Sequence, residues 1–129
     1  MKYFNHLNEE LNEADYLNVR GDFIAQVQKV VDESMRNYSW ECKLSVDKGR
    51  RYDRIVKSDV PPPYGGQDNP NQSVWGFIDK TNGNILKADS WKKPSTKHAR
   101  GNIYEEDRMQ FCGPYGPAYM DTIKDYYGA

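Results

Sequence analysis

The sequence predicts an α+β fold: an antiparallel sheet of about four strands, arranged as two hairpins, with an N-terminal helix packed on one face and a short C-terminal helix. Three observations carry this. Residues 19–37 place apolar side chains at helical spacing, residues 38–57 switch to strand alternation, and the stretch from Ser73 to Tyr104 is built around an Asn82-Gly83 turn between two β-rich runs. Asn-Gly supplies the positive φ angles of a tight hairpin turn. At 129 residues the chain makes a single domain. It divides into a helical part (1–37), a hairpin sheet (38–104) and a helical tail (105–129).

The elements follow in order. Residues 1–18 are polar, with Tyr3, Phe4, Leu7 and Leu11 near helical spacing, and read as a short helix or a docked arm. In residues 19–37, Phe23, Val27, Val30, Val31 and Ser34 form one stripe, the core face of an amphipathic helix, with Asp22 near its start. From Tyr38 to Val46, Trp40, Cys42, Leu44 and Val46 alternate with polar residues, as in a half-buried strand. Arg51–Lys57 pairs with it across a turn at 47–50. Arg51, Asp53, Ile55 and Lys57 share one face of this second strand.

Residues 58–72 form a connecting loop with three consecutive prolines, which favour extended backbone. In the central hairpin, alternation puts Trp75 and Phe77 on one face and Val74, Gly76 and Ile78 on the other. A two-residue turn sets Phe77 opposite Ala88 and Ile78 opposite Lys87, and a three-residue turn shifts this by one. Pro94 ends the ladder. Asn102–Tyr104 returns as a short strand, 105–111 is acidic and helical in character, 112–117 is turn-rich, and Ala118–Tyr127 is the last helix, ended by Gly128.

Charge is unevenly distributed. Net charge is −1, yet residues 42–102 carry twelve Lys/Arg against six Asp/Glu, between two acidic ends. A basic middle of this kind is either an anion-facing surface or a solvated sheet neutralised by its flanks. No apolar run approaches membrane-spanning length and the first ten residues hold no apolar leader core, so an intracellular protein with reduced thiols is expected.

Catalytic motifs are incomplete. Ser90-Trp-Lys-Lys93 and Lys80-Thr-Asn-Gly83 match fragments of a serine acyl-enzyme signature, but in the wrong order and in too small a domain. Cys112-Gly-Pro-Tyr115 lacks the second cysteine of a dithiol site. Two cysteines and two distant histidines give no zinc spacing, and no glycine-rich phosphate loop is present. No catalytic residue, metal or cofactor is therefore expected, and a non-enzymatic role is preferred. His98 sits among cations that favour its neutral form, which leaves it open as the base of a small enzyme on a phosphorylated substrate.

What remains is a cluster of cations and rings. Arg50, Arg51, Arg54 and Lys57 lie on or beside the first hairpin, and Lys87, Lys92, Lys93, Lys97 and Arg100 on or after the second. In one sheet, up to nine cations converge on one face or rim, with Trp75, Trp91, Tyr52 and Tyr64 as stacking planes. Cations follow phosphates and rings stack bases, so nucleic acid or a nucleotide is the expected ligand. The ligand-binding residues are expected to be Arg51, Arg54, Lys87, Trp91, Lys93, Lys97, His98 and Arg100. The competing reading is a protein–protein module, a host-factor inhibitor or minor virion component, that uses the 61–66 loop and the Tyr-rich C-terminus.

The words F-I-D-K-T-N-G-N-I-L-K-A-D-S-W-K-K-P-S-T-K-H-A-R-G-N-I resemble a stretch found in a family of small, uncharacterised proteins, mostly from tailed bacteriophages. Phe77, Gly83, Lys87, Ser90, Trp91, Pro94, Lys97, Arg100 and Asn102 carry the likeness, which covers about residues 73–104. The resemblance implies a phage protein made in the host cytoplasm and brings no activity with it.

Overall fold

The computed structural model describes residues 13–60 and 71–127, with side chains to 124. Residues 1–12 of the proposed N-terminal arm, with Tyr3, Phe4, Leu7 and Leu11, the proline run with Tyr64, and Gly128 lie outside them, whereas 13–18 belong to the first helix. Helix α1 spans Glu13–Ser34 and strands β1 to β4 span Glu41–Asp47, Tyr52–Val60, Gln72–Asp79 and Asn84–Leu86. They are followed by β5 (Gly101–Asn102), β6 (Cys112–Gly113), β7 (Gly116–Pro117) and helix α2 (Met120–Tyr127). Strands β1 to β5 form one antiparallel sheet in sequence order, and β6–β7 form a separate hairpin. The fold is α+β, as the sequence predicts. The sheet gains a fifth strand, and the turn-rich segment at 112–117 is a small hairpin. Residues 105–111 are turns rather than helix.

The core sits between α1 and one face of the sheet. Tyr16, Phe23, Val27 and Val31 are buried along one helix stripe, against Cys42, Ile55, Trp75, Ile78 and Ile85. Ile103 and Tyr104 complete the cluster. The helix begins by residue 13, earlier than the apolar periodicity indicates. Its first turn carries Glu13 and Asp15, which suit exposed N–H groups, so Asp22 lies inside the helix and not at its start.

The packing of α1 has a polar component. Asp53 is fully buried on the helix-facing side of β2. It accepts hydrogen bonds from the Tyr16 hydroxyl at 2.7 Å and from Arg20 Nη1 at 2.8 Å, while Gly49 N–H donates to it at 3.3 Å. Lys80 Nζ stands 3.9 Å away. Gln28 of α1 ties the edge strand. Its amide nitrogen donates to the Cys42 carbonyl at 2.8 Å and its oxygen accepts from Leu44 N–H at 2.9 Å. This occupies backbone groups that an edge strand otherwise offers to another chain.

Two features of the central hairpin depart from simple alternation. Ile55 faces Gly76 but Val56 faces Val74, so Trp75 is an extra residue in β3. This bulge turns Trp75 to the helix side with Ile78, and Phe77 to the other side with Arg54 and Leu86. Glycine suits position 76, since a Cβ there would crowd the Leu86 carbonyl at 3.0 Å and the Pro117 ring at 3.1 Å. The turn is also longer than expected. Phe77 pairs with Leu86 and Ile78 with Ile85, leaving residues 80–83 as a four-residue loop. Asp79 dictates this: its Oδ1 accepts from Thr81 N–H at 2.9 Å and Thr81 Oγ1 at 2.6 Å, and its carbonyl accepts from Gly83 N–H at 2.7 Å. The self-bonding carboxylate outcompetes a two-residue Asn-Gly turn. Gly83 keeps a positive φ of 82°, with the Tyr104 ring 2.5 Å from where a Cβ would sit. The register moves by two residues, an even step that by itself leaves faces unchanged across the turn, so the change of face at Trp75 comes from the bulge alone.

The face away from α1 carries Val56, Phe77 and Leu86, buried but outside the main core cluster. Residues 88–95 form a tight loop on this side, closed by an Ala88–Pro94 bridge and by the Lys87 carbonyl accepting from Ser95 N–H at 2.7 Å.

Candidate anion-binding surface

The predicted binding residues fall into separate groups rather than one patch. Arg51 pairs with Asp79 at 3.2 Å beside the central turn and lies over the Tyr52 ring. Arg54 binds Asp47 at 2.9 Å, donates to the Trp91 carbonyl at 3.2 Å and stacks 4.9 Å from the Trp91 ring centre, on the face away from α1. Lys93, Lys97 and His98 are exposed along the segment that follows. Lys87 and Arg100 are brought together against the carbonyls of Pro117 and Ala118. Lys87 Nζ donates to the Pro117 carbonyl at 2.8 Å, and Arg100 donates through Nε to the Ala118 carbonyl at 3.0 Å and through Nη1 to the His98 carbonyl at 2.6 Å. Burial lowers the Lys87 pKa, and the nearby Arg100 charge lowers it further. Burial likewise lowers that of Arg100, with Asp89 opposing.

The expected convergence of nine cations on one face is therefore corrected. Alternation along β2 sends Arg54 and Lys57 to opposite sides of the sheet, and each arginine of the first hairpin that sits by a carboxylate is held by it. Among the stacking planes, Trp75 is also corrected. It is 2% exposed, packs edge-on against Phe23 at 6.0 Å, and donates its indole N–H to the Gly113 carbonyl at 2.8 Å.

The surface that does pair cations with open rings was not foreseen in this form. Lys57 lies on the helix side of β2. Its Nζ sits 3.5 Å from the Pro114 carbonyl and 4.6 Å from the centre of the Tyr115 ring. Lys87 lies 4.0 Å from the centre of the Tyr119 ring. No described carboxylate is ion-paired with either lysine. Tyr115 is 79% exposed and Tyr119 69%. One chain segment, Pro114–Tyr119, thus presents two phenol rings, each backed by an ammonium group from the sheet. The Gly-Pro-Tyr-Gly-Pro-Ala-Tyr wording is the signal that could have revealed it: proline and glycine turns hold the tyrosines out.

Both cysteines are free thiols. Burial pushes Cys112 up to about 12, and Cys42 is raised by burial and by its bond to Asp59. Thiolate is the reactive form. The native protein is expected to resist iodoacetamide at pH 8 and to label at both positions in denaturant; rapid labelling of the native protein would contradict this burial. Among the described residues no group of three or more His, Cys, Asp or Glu could hold a metal ion, and no helix is long and apolar enough to cross a membrane.

Fold and surface together define a small helix-on-sheet α+β protein with a basic, tyrosine-bearing face. The chain belongs to a family of unknown function, DUF7717, whose model matches residues 1–115. The match covers all five strands of the main sheet and Tyr115, and ends before Tyr119 and α2. No curated protein and no solved structure matches the chain.

Proposed function

We propose that this is a non-enzymatic binding protein whose ligand is an anionic polymer, single-stranded nucleic acid, held on the Lys57–Tyr115 and Lys87–Tyr119 face. The observation that carries the reading is the pair of lysines without described carboxylates, each capping the inner side of an exposed ring. Bases stack on such rings irrespective of sequence, and the ammonium groups follow the phosphates. Lys93 and Lys97 extend the positive charge along the chain with His98 exposed beside them, and Arg54 with Trp91 offers a further cation–ring pair on the other face. On the resemblance of residues 73–104, we also propose a phage origin and action in the host cytoplasm.

The test is oligothymidine binding titrated against salt. Lys57→Gln and Lys87→Gln are each expected to flatten the log–log salt slope by about 0.7, the single-strand value per phosphate contact. Tyr115→Ala and Tyr119→Ala should each weaken binding by about 1–3 kcal/mol and leave the slope alone. No binding at low salt, or binding indifferent to all four changes, would sink the proposal. Salt-insensitive capture of a host protein through the same tyrosines would favour the protein–protein reading instead.

A further inference from the structure

Beside the Lys–Tyr face lies a cavity of about 290 Å³, bordered by β4, β5, the turns after them and Ile123 of α2. We propose that this cavity is a nucleoside site selective for guanine. The inference goes beyond the surface reading, because different side chains make it.

The lining is mixed in a particular way. Arg100 is 6% exposed, and its Nε and Nη1 are fixed on the Ala118 and His98 carbonyls, which leaves Nη2 without a described partner. The Asn84 oxygen accepts from Asn102 at 3.0 Å, so its amide nitrogen remains a donor. Glu105 and Asp107 bring acceptors to the same cavity, and Phe111 brings a flat apolar surface. The lining carries both signs, one guanidinium and two carboxylates, so a ligand that meets all of them presents acceptors on one side and donors on the other. What fits is a neutral, flat ring with acceptors on one edge and N–H donors on another.

Guanine has that arrangement. Its O6 and N7 accept from a guanidinium and an amide. Its N1–H and N2–H₂ lie side by side, so one carboxylate accepts from both. Adenine sets its amino group next to N7, where Arg100 would oppose a donor. Uracil has a single N–H between two carbonyls. Cytosine offers one amino group and a smaller ring. The cavity lies at the small end of ligand pockets, about 300–1,000 Å³, which suits a base with its sugar.

The experiment is calorimetric titration with guanosine, inosine, adenosine, cytidine and uridine in 0.5 M salt. Nucleosides carry no phosphate, so surface charge contributes nothing. Guanosine is expected to bind about tenfold or more tightly than adenosine, cytidine and uridine, the discrimination of one good paired contact. Inosine, which lacks the N2 amino group, should fall between. At least one of Glu105→Gln and Asp107→Asn, each checked for an unchanged melting transition, should remove the preference. Cytidine or adenosine binding as tightly as guanosine would overturn the assignment. So would no guanosine binding at millimolar concentration, or a preference intact in the Glu105→Gln/Asp107→Asn double variant. Oligothymidine reports on the surface and guanosine on the cavity, so either proposal can fail without the other.

Discussion

Asp53→Ala is expected to destabilise the protein by about 3–5 kcal/mol, the usual consequence of removing one partner from a buried ion pair. The carboxylate is fully buried and serves the Tyr16 hydroxyl, Arg20 and Gly49 N–H at once. Without it, Arg20 keeps a charge in a site only 15% open to solvent, and the Tyr16 hydroxyl loses its acceptor. A small domain holds only about 5–15 kcal/mol in total, so this loss is a large share of it. Asp53→Asn keeps the shape and one acceptor but loses the charge, and should cost less. Urea denaturation measures both, and a midpoint unchanged in Asp53→Ala would refute the account. Alkaline titration gives a second readout. Burial and the bond to Asp53 raise the Tyr16 pKa above the ordinary tyrosine value. The folded state then holds the proton that the unfolded chain gives up near pH 10, so the stability is intact below that pH and declines above it. Tyr16→Phe should flatten that decline.

The same cluster shows how much could be read in advance. Alternation placed Asp53 beside Ile55 on one face of β2, and that face proved to be the buried one. Nothing local indicated that Tyr16 and Arg20 would arrive there, because both precede the apolar stripe and look like the polar start of a helix. The strands of the main sheet were legible for the same reason as α1: burial on one side imposes a period. The departures occurred where one residue overrode the period. Asp79 lengthened the turn by bonding to Thr81 and Gly83, and the bulge in β3 turned Trp75 into the core. The tyrosine surface was the least legible part. Strands β6 and β7 are two residues each, too short for any period, and Lys57 and Tyr115 meet only through tertiary packing. Charge in the middle of the chain was evident; which cations a carboxylate would hold depended on strand pairing.

Trp75→Ala should cost about 3–5 kcal/mol as a large-to-small change in a packed core. The informative variant is Trp75→Phe, because this side chain joins the core to the surface. Its ring is edge-on to Phe23 of α1, while its N–H holds the Gly113 carbonyl in the β6–β7 hairpin. The hairpin also approaches Trp75 closely from its other strand, since a Cβ on Gly116 would come within 2.6 Å of the Trp75 backbone carbonyl. Phenylalanine keeps an aromatic ring in the core but removes the donor, a loss of about 1 kcal/mol. It leaves the Gly113 carbonyl without its indole partner. The domain should stay folded while the hairpin loosens, so amide exchange should accelerate at Cys112–Gly116 and remain slow in β2 and β3. Tyr115 rides on that hairpin, and its ring is useful to a ligand only while it stays over Lys57. Oligothymidine affinity should therefore fall in Trp75→Phe although no residue touching the ligand has changed. Unchanged affinity together with faster hairpin exchange would mean that the tyrosine acts without being positioned.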